Sequence, residues 1–325
     1  MVTFRIRRKV NKKIVFLQTN TERNSFMSKY RSLVLPFALV FGFIFHHFLA
    51  GFNFVVPYLI FAILLLNFVS VDIKKLRFGW LDVWLMLFQI VVSLGCYLLL
   101  KSFHVSDMVA EGVLVGILCP VAASVVVIAC MLGANRETVT TYTIWGNMMV
   151  AVVAPIYFSF IGLQQDMPFL ESFWMILKRI SPVIVFPFFL ALIMQYTMPK
   201  VNAFLDKYRG ISFYLWACAF LLVMGKTFEF IAIHGPGNEK NIFVLGLVSV
   251  LFCGIQFAIG KWLGAKFGDR VAGGQLLGQK NTAFGIWMAN CYLNPLASVY
   301  VAFYAIWQNL FNSWQLWRHD RQLQK

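Results

Sequence analysis

The stretch GGQLLGQKNTAFGIWMAN, residues 273–290, decides how the chain is read. It opens apolar, sets Gly278, Gln279, Lys280, Asn281 and Thr282 in a row, and then turns apolar again. On both sides, apolar segments of about 20 residues, the length of a membrane-crossing helix, follow one another at regular intervals. A helix over about residues 271–291 puts Lys280 near its middle, roughly 15 Å from either face at helical rise. An ammonium is costly at that depth, and a run of small and polar residues makes a poor lipid-facing surface. The expected structure is a helix broken at mid-membrane, with its freed backbone groups lining a cavity rather than lipid.

Composition agrees. Of 325 residues, 60% are hydrophobic and 13% charged, whereas soluble domains carry about 25% charged residues. This implies an all-α polytopic membrane protein with no separate soluble domain. The net charge of +15 does not indicate a nucleic-acid partner. Nine of the 28 basic residues precede residue 32 and most others fall in alternate loops, which is the positive-inside pattern. The six cysteines sit in or at the ends of apolar spans without CxxC spacing, so neither a metal site, a cofactor nor a disulfide framework is indicated.

Ten spans are expected, at about 32–50, 54–71, 80–100, 108–132, 139–162, 180–198, 211–231, 241–263, 271–291 and 295–316. Residues 1–31 read as a basic cytoplasmic leader without the apolar core of a signal peptide, and Met27 would be a natural start. The basic loops (Lys74, Lys75 and Arg77; Arg136; Lys200, Lys207 and Arg209; Lys266 and Arg270) and the tail 317–325 place both termini in the cytoplasm. Lys178 and Arg179 break the pattern on the outer side, so 169–179 reads as an amphipathic helix lying at the interface.

The chain also repeats. Tyr142-Thr-Ile-Trp-Gly-Asn147 returns as Tyr304-Ala-Ile-Trp-Gln-Asn309 at an offset of 162, and Gln89 has a counterpart in Gln256 at 167. The break at Cys119-Pro120 then pairs with the break at Gln279–Asn281. An offset of five spans makes 32–162 and 163–316 inverted repeats, as in secondary transporters with discontinuous helices.

These residues resemble the bile acid:sodium symporter family over nearly the whole chain after about residue 32. Leu118-Cys119-Pro120 is similar to its Cys-Pro motif, Gly278-Gln-Lys-Asn-Thr282 to its Gly-x-Gln-Asn-Ser stretch, and Trp307-Gln308-Asn309 to its Trp-His-Asn. Gln89 stands where the family has a third-span glutamine. The resemblance implies a panel (spans 1, 2, 6 and 7), a core (3–5 and 8–10) with helices 4 and 9 crossing at their breaks, and alternating-access transport of a small organic anion. It also implies a departure. The family's sodium ligands correspond here to Val125, Val126, Thr143, Ile144, Leu276 and Lys280. Sodium needs several oxygen ligands, so sodium is not an expected partner of this chain. Lys280 is expected to replace the ion, and protons are a candidate partner through gain and loss of its proton.

The candidate substrate-binding residues are Lys280, Asn281, Thr282, Asn147, Asn309, Gln308, Thr143, Gln89 and Gln256, with Cys119, Pro120, Gly278 and Gln279 as the helix breaks. Blander readings stand beside them. The four amides Gln89, Gln256, Asn147 and Asn309 could be interhelical glue, and Thr282 could cap the second half of its helix. Lys226 and Glu229, three apart, read as a local ion pair. Glu111 and Asp82 lie near span ends and read as wetted. No Gly-x-Ser-x-Gly, HExxH or Walker loop is present, so enzyme chemistry finds no support. The lack of paired membrane carboxylates counts against the alternative of a cation/proton exchanger. A non-transporting sensor or scaffold is the other alternative. The setting expected is the lipid of a bacterial inner membrane.

Overall fold

The computed structural model describes residues 36–71, 76–122, 124–162, 167–208 and 210–323. The leader 1–31 and residues Lys74, Lys75, Asp166, Arg209 and Lys325 lie outside them. Every regular element among the described residues is helical. Helix α1 covers 36–44 and α2 His46–Ala50, and a 3-10 turn, Asn53–Val55, leads into α3, Val56–Phe68. Then come α4 (Trp80–Ser102), α5 (Asp107–Leu118), α6 (Val125–Met131), α7 (Arg136–Ile161), α8 (Phe169–Thr197), α9 (Pro199–Lys207), α10 (Ile211–His234), α11 (Glu239–Lys266), α12 (Arg270–Gly278), α13 (Thr282–Tyr292) and α14 (Ala297–Leu323). By length and composition, α4, α7, α8, α10 and α11 can each cross a membrane. The chain is a multi-pass membrane protein.

Helix α8 corrects one expectation. Residues 169–179 do not form a separate interfacial helix but are the first turns of α8. Ser172, Ile176, Ile180, Val183, Ile184, Pro187, Ala191 and Met194 form one unbroken buried stripe at helical spacing, and a continuous stripe holds a continuous helix. Pro182 and Pro187 sit within it.

Packing sorts the helices. Helix α3 packs on α8 and α10, and α10 also on α2, while α4, α5, α11, α12 and α14 form a second group; α7 lies along α8 and also touches α4, α6 and α12. Helix α13 touches both groups, reaching α5 and α14 on one side and α3 and α10 on the other. Helices α11 and α12 approach backbone to backbone along Gly260, Gly264 and Gly273. A Cβ on Gly273 would stand 2.3 Å from the Gly260 carbonyl oxygen and 2.7 Å from Gly264 Cα. Gly273→Ala is therefore expected to push the two helices apart and destabilise by about 1–3 kcal/mol. Gly95→Ala, facing open space on α4, should be neutral or slightly stabilising. Thermal unfolding of both variants in detergent checks the contrast.

Candidate functional site

Two interruptions build the site. Helix α5 stops at Leu118, and Cys119 leaves helical geometry at φ −44°, ψ 134°. The cause is Pro120, which has no N–H to donate and pushes the preceding residue out of the helical region. Helix α12 stops at Gly278, and Gln279 is extended, with φ −101° and ψ 104°.

The two extended pieces lie side by side. Val121 and Lys280 form an antiparallel bridge. The Ala122 N–H donates to the Gln279 carbonyl (3.1 Å) and the Asn281 N–H to the Pro120 carbonyl (2.8 Å). The Cys119 thiol donates to the Asn281 carbonyl at 3.1 Å. Each break thus satisfies backbone groups freed by the other, as an interior closed to water requires.

Lys280 is 1% exposed. Its Nζ donates to the Ile117 carbonyl at 2.9 Å, so the ammonium lies against the C-terminal turn of α5, where the helix dipole and the last carbonyls are negative. Its own N–H donates to Gln308 Oε1 (2.8 Å), and its carbonyl accepts from Gln308 Nε2 (3.1 Å). One amide side chain on α14 therefore holds both backbone groups of Lys280.

The two predicted glutamines occupy comparable places at the two breaks. Gln89 on α4 donates to the carbonyls of Ile117 (3.2 Å) and Cys119 (3.1 Å) and accepts from the Tyr142 hydroxyl of α7. Gln256 on α11 donates to the Tyr304 hydroxyl (3.2 Å), which donates to the Gly278 carbonyl at 2.8 Å. A glutamine–tyrosine pair thus serves the C-terminal end of the half-helix before each break. Tyr142 and Tyr304 were absent from the expected site, although each opens the repeated hexad in the sequence.

Asn281 caps α13, its Oδ1 accepting from the Phe284 N–H at 3.3 Å. This corrects the expectation for Thr282, which is the first residue of the helix rather than its cap. Asn147 is buried with its Oδ1 unpartnered. Thr143 and Asn309 donate into their own helices, to Val139 (2.7 Å) and Ala305 (2.7 Å). Val125 and Leu276 are wholly buried in one apolar cluster with Val121, Tyr142 and Leu277.

Three blander readings need correction. Glu229 pairs with α2 rather than Lys226: His46 Nδ1 lies 2.5 Å from Oε2 and His47 Nδ1 3.1 Å from Oε1. The Lys226 ammonium instead lies 4.4 Å from the centre of the Phe230 ring. Glu111 is buried, accepting the Asn294 N–H at 2.6 Å ahead of α14. Asp82 is buried too, its Oδ2 taking the Gly79 N–H at 2.7 Å while Oδ1 has no partner. For Glu111 the turn before α14 covers a helix start that hydropathy alone placed at the surface, whereas Asp82 takes up the N–H of Gly79, the cap of its own helix.

No family model matches the chain. It is similar to the uncharacterized sodium-dependent transporter YocS of Bacillus subtilis (strain 168), being 22% identical over 299 residues that take in 81% of this chain and 89% of that protein.

Proposed function

We propose that the chain is a secondary transporter that carries a small organic anion across the bacterial inner membrane by alternating access, without sodium. In this reading the ten spans form inverted repeats over 32–162 and 163–316, with both termini cytoplasmic, and α2, α3, α8 and α10 are a panel against which the remaining core moves. The observation that carries it is the Lys280 ammonium on the Ile117 carbonyl, at the place where two interrupted helices cross. A cation is needed there because the C-terminal ends of α5 and α12 meet at the crossing. A covalently attached one does that work without a bound ion. The matching glutamine–tyrosine pairs support the repeat, and the relative's name supports transport.

The same crossing presents the N-terminus of α13, whose positive dipole end favours an anion. Substrate then contacts Asn281 and Thr282, flanked by Asn147, whose amide is without a partner at one atom. Asn281→Ala and Thr282→Ala are expected to weaken binding of an organic carboxylate or sulfonate about tenfold, read by thermal shift as a rightward move of the concentration dependence. Unchanged midpoints in both variants would put the ligand elsewhere.

The relative is sodium-dependent by name, so the coupling ion is the sharpest point of the proposal. Anions that stabilise the purified protein are offered to proteoliposomes with sodium replaced by choline. Uptake should persist, and a proton gradient should be the remaining driving force to vary. Uptake that collapses in choline, with the dependence unaltered in Lys280→Gln, would overturn the built-in cation.

A further inference from the structure

Beyond Gln308, the same face of α14 carries two more amides. Gln308, Asn312 and Gln315 follow at spacings of four and three residues, which keeps them on one side of a helix. Asn312 and Gln315 are each at least nine-tenths buried, and so is Gln275 on α12. Gln275 Nε2 donates to Asn312 Oδ1 at 3.1 Å. Side chains thus join α12 to α14 about one turn from the amide that holds Lys280.

This seam is only half satisfied. Gln275 Oε1, Asn312 Nδ2 and Gln315 Nε2 are shielded and without partners, whereas buried amide groups are normally paired. The free atoms are of both kinds, an acceptor on α12 and two donors on α14. A bare cation would leave the donors unpaired, and an anion would leave the acceptor unpaired. Water supplies both a donor and an acceptor and is the usual occupant of such places. Positions related by the sequence repeat carry no amide. At the offset of 162 that relates Tyr142 to Tyr304, Gln275 corresponds to Val113, Asn312 to Val150 and Gln315 to Val153. Val113 and Val150 are wholly buried in the main apolar core. One half of the chain packs valine where the other packs amides.

We propose that Gln275, Asn312 and Gln315 line an internal water site between α12 and α14, with no counterpart at the repeat-related valines of α5 and α7. From Gln308 it follows α14 for about 10 Å at helical rise, toward the end that carries the tail 317–325, the predicted cytoplasmic end. The proposal rests on the transport reading for its purpose, which is to solvate the crossing of the broken helices from one side alone. Its measurement does not depend on that reading.

Thiol reactivity reads the water directly. Asn312→Cys and Gln315→Cys, as full chains in lipid nanodiscs, are treated with methyl methanethiosulfonate, a small uncharged reagent, and followed by peptide mass mapping. The thiolate attacks sulfur, a disulfide forms and methanesulfinate leaves. Val113→Cys, Val150→Cys and the native Cys253, all at wholly buried positions, give the dry rate. Because the thiolate is the reacting form and needs water to exist, both amide-site cysteines should react at least about tenfold faster than these. A rate at either site no greater than the dry rate overturns the proposal. Where a cysteine variant does not fold, a density map of the unaltered protein decides. Ordered water within about 3 Å of both Asn312 Nδ2 and Gln275 Oε1 is expected. A direct protein partner on either atom, or a cation on Gln275 Oε1, overturns the site. Fast labelling at both positions in a protein that takes up no anion would defeat the transport reading alone.

Discussion

Lys280→Met should abolish uptake of an organic anion while leaving the protein folded, with a melting temperature equal to or above that of the parent. The two halves of that result have different causes. A charge buried at mid-membrane is costly, and exchanging a buried charged group for an apolar side chain of similar volume is often neutral or stabilising by about 1–4 kcal/mol. The bond lost, from Nζ to the Ile117 carbonyl, is a charge-assisted one contributing about 1.5–3 kcal/mol. The two effects nearly offset in stability. They do not offset in function, because methionine offers no positive charge to the meeting ends of α5 and α12. An uptake rate at least about a hundredfold lower in proteoliposomes, beside an unchanged unfolding curve, is the expected pair of observations. Lys280→Met that transports normally would make the ammonium a structural remnant.

The sequence made the site legible to an uneven degree. The breaks at Pro120 and around Lys280 were read from residue chemistry, and helices α5 and α12 end at Leu118 and Gly278. Gln89, Gln256 and Gln308 were named from the repeat and the motifs, and all three reach the crossing. Tyr142 and Tyr304 were read as part of the repeat but not of the site, because tyrosine in an apolar span reads first as packing, and only the fold shows each hydroxyl on the neighbouring glutamine. Asn309 and Thr143 were named on motif position, yet their side chains fold back on their own helices. Motif position gives the side of the helix only to within a residue, and Gln308 and Asn309 differ by about 100° around α14.

Some elements were hidden for a different reason. The pairing of Glu229 with His46 and His47 joins residues more than 180 positions apart, and no local spacing announces it. The rule that predicted a Lys226–Glu229 pair is sound for an isolated helix, but here a second helix brings two histidines to the carboxylate first. Glu111 and Asp82 show the same limit. Hydropathy assigns helix ends to the surface, and only tertiary packing decides whether they are buried.

Gln308→Leu should be the most destabilising polar substitution in the protein, and the contrast with its neighbour makes the test sharp. Gln308 accepts from the Lys280 N–H and donates to the Lys280 carbonyl, at 2.8 and 3.1 Å. Leucine in its place leaves the Lys280 N–H buried and unpartnered, and leaves the Lys280 carbonyl with the Thr282 N–H alone, at 3.0 Å. The unsatisfied N–H costs about 1–3 kcal/mol and the lost bond to the carbonyl about 1 kcal/mol more, so a loss of roughly 2–4 kcal/mol is expected, enough to lower the yield of folded protein. Asn309→Leu removes one bond to the Ala305 carbonyl, a group that the helix itself already satisfies, and should cost under about 1 kcal/mol. Both variants replace an amide on α14 by the same apolar residue at adjacent positions, so a general effect of lost polarity would lower the two melting temperatures alike. Only the hold on Lys280 predicts that one falls far and the other scarcely moves. Gln308→Glu discriminates further. The carboxylate can still accept from the Lys280 N–H but cannot donate to its carbonyl, which places it between the two leucine variants.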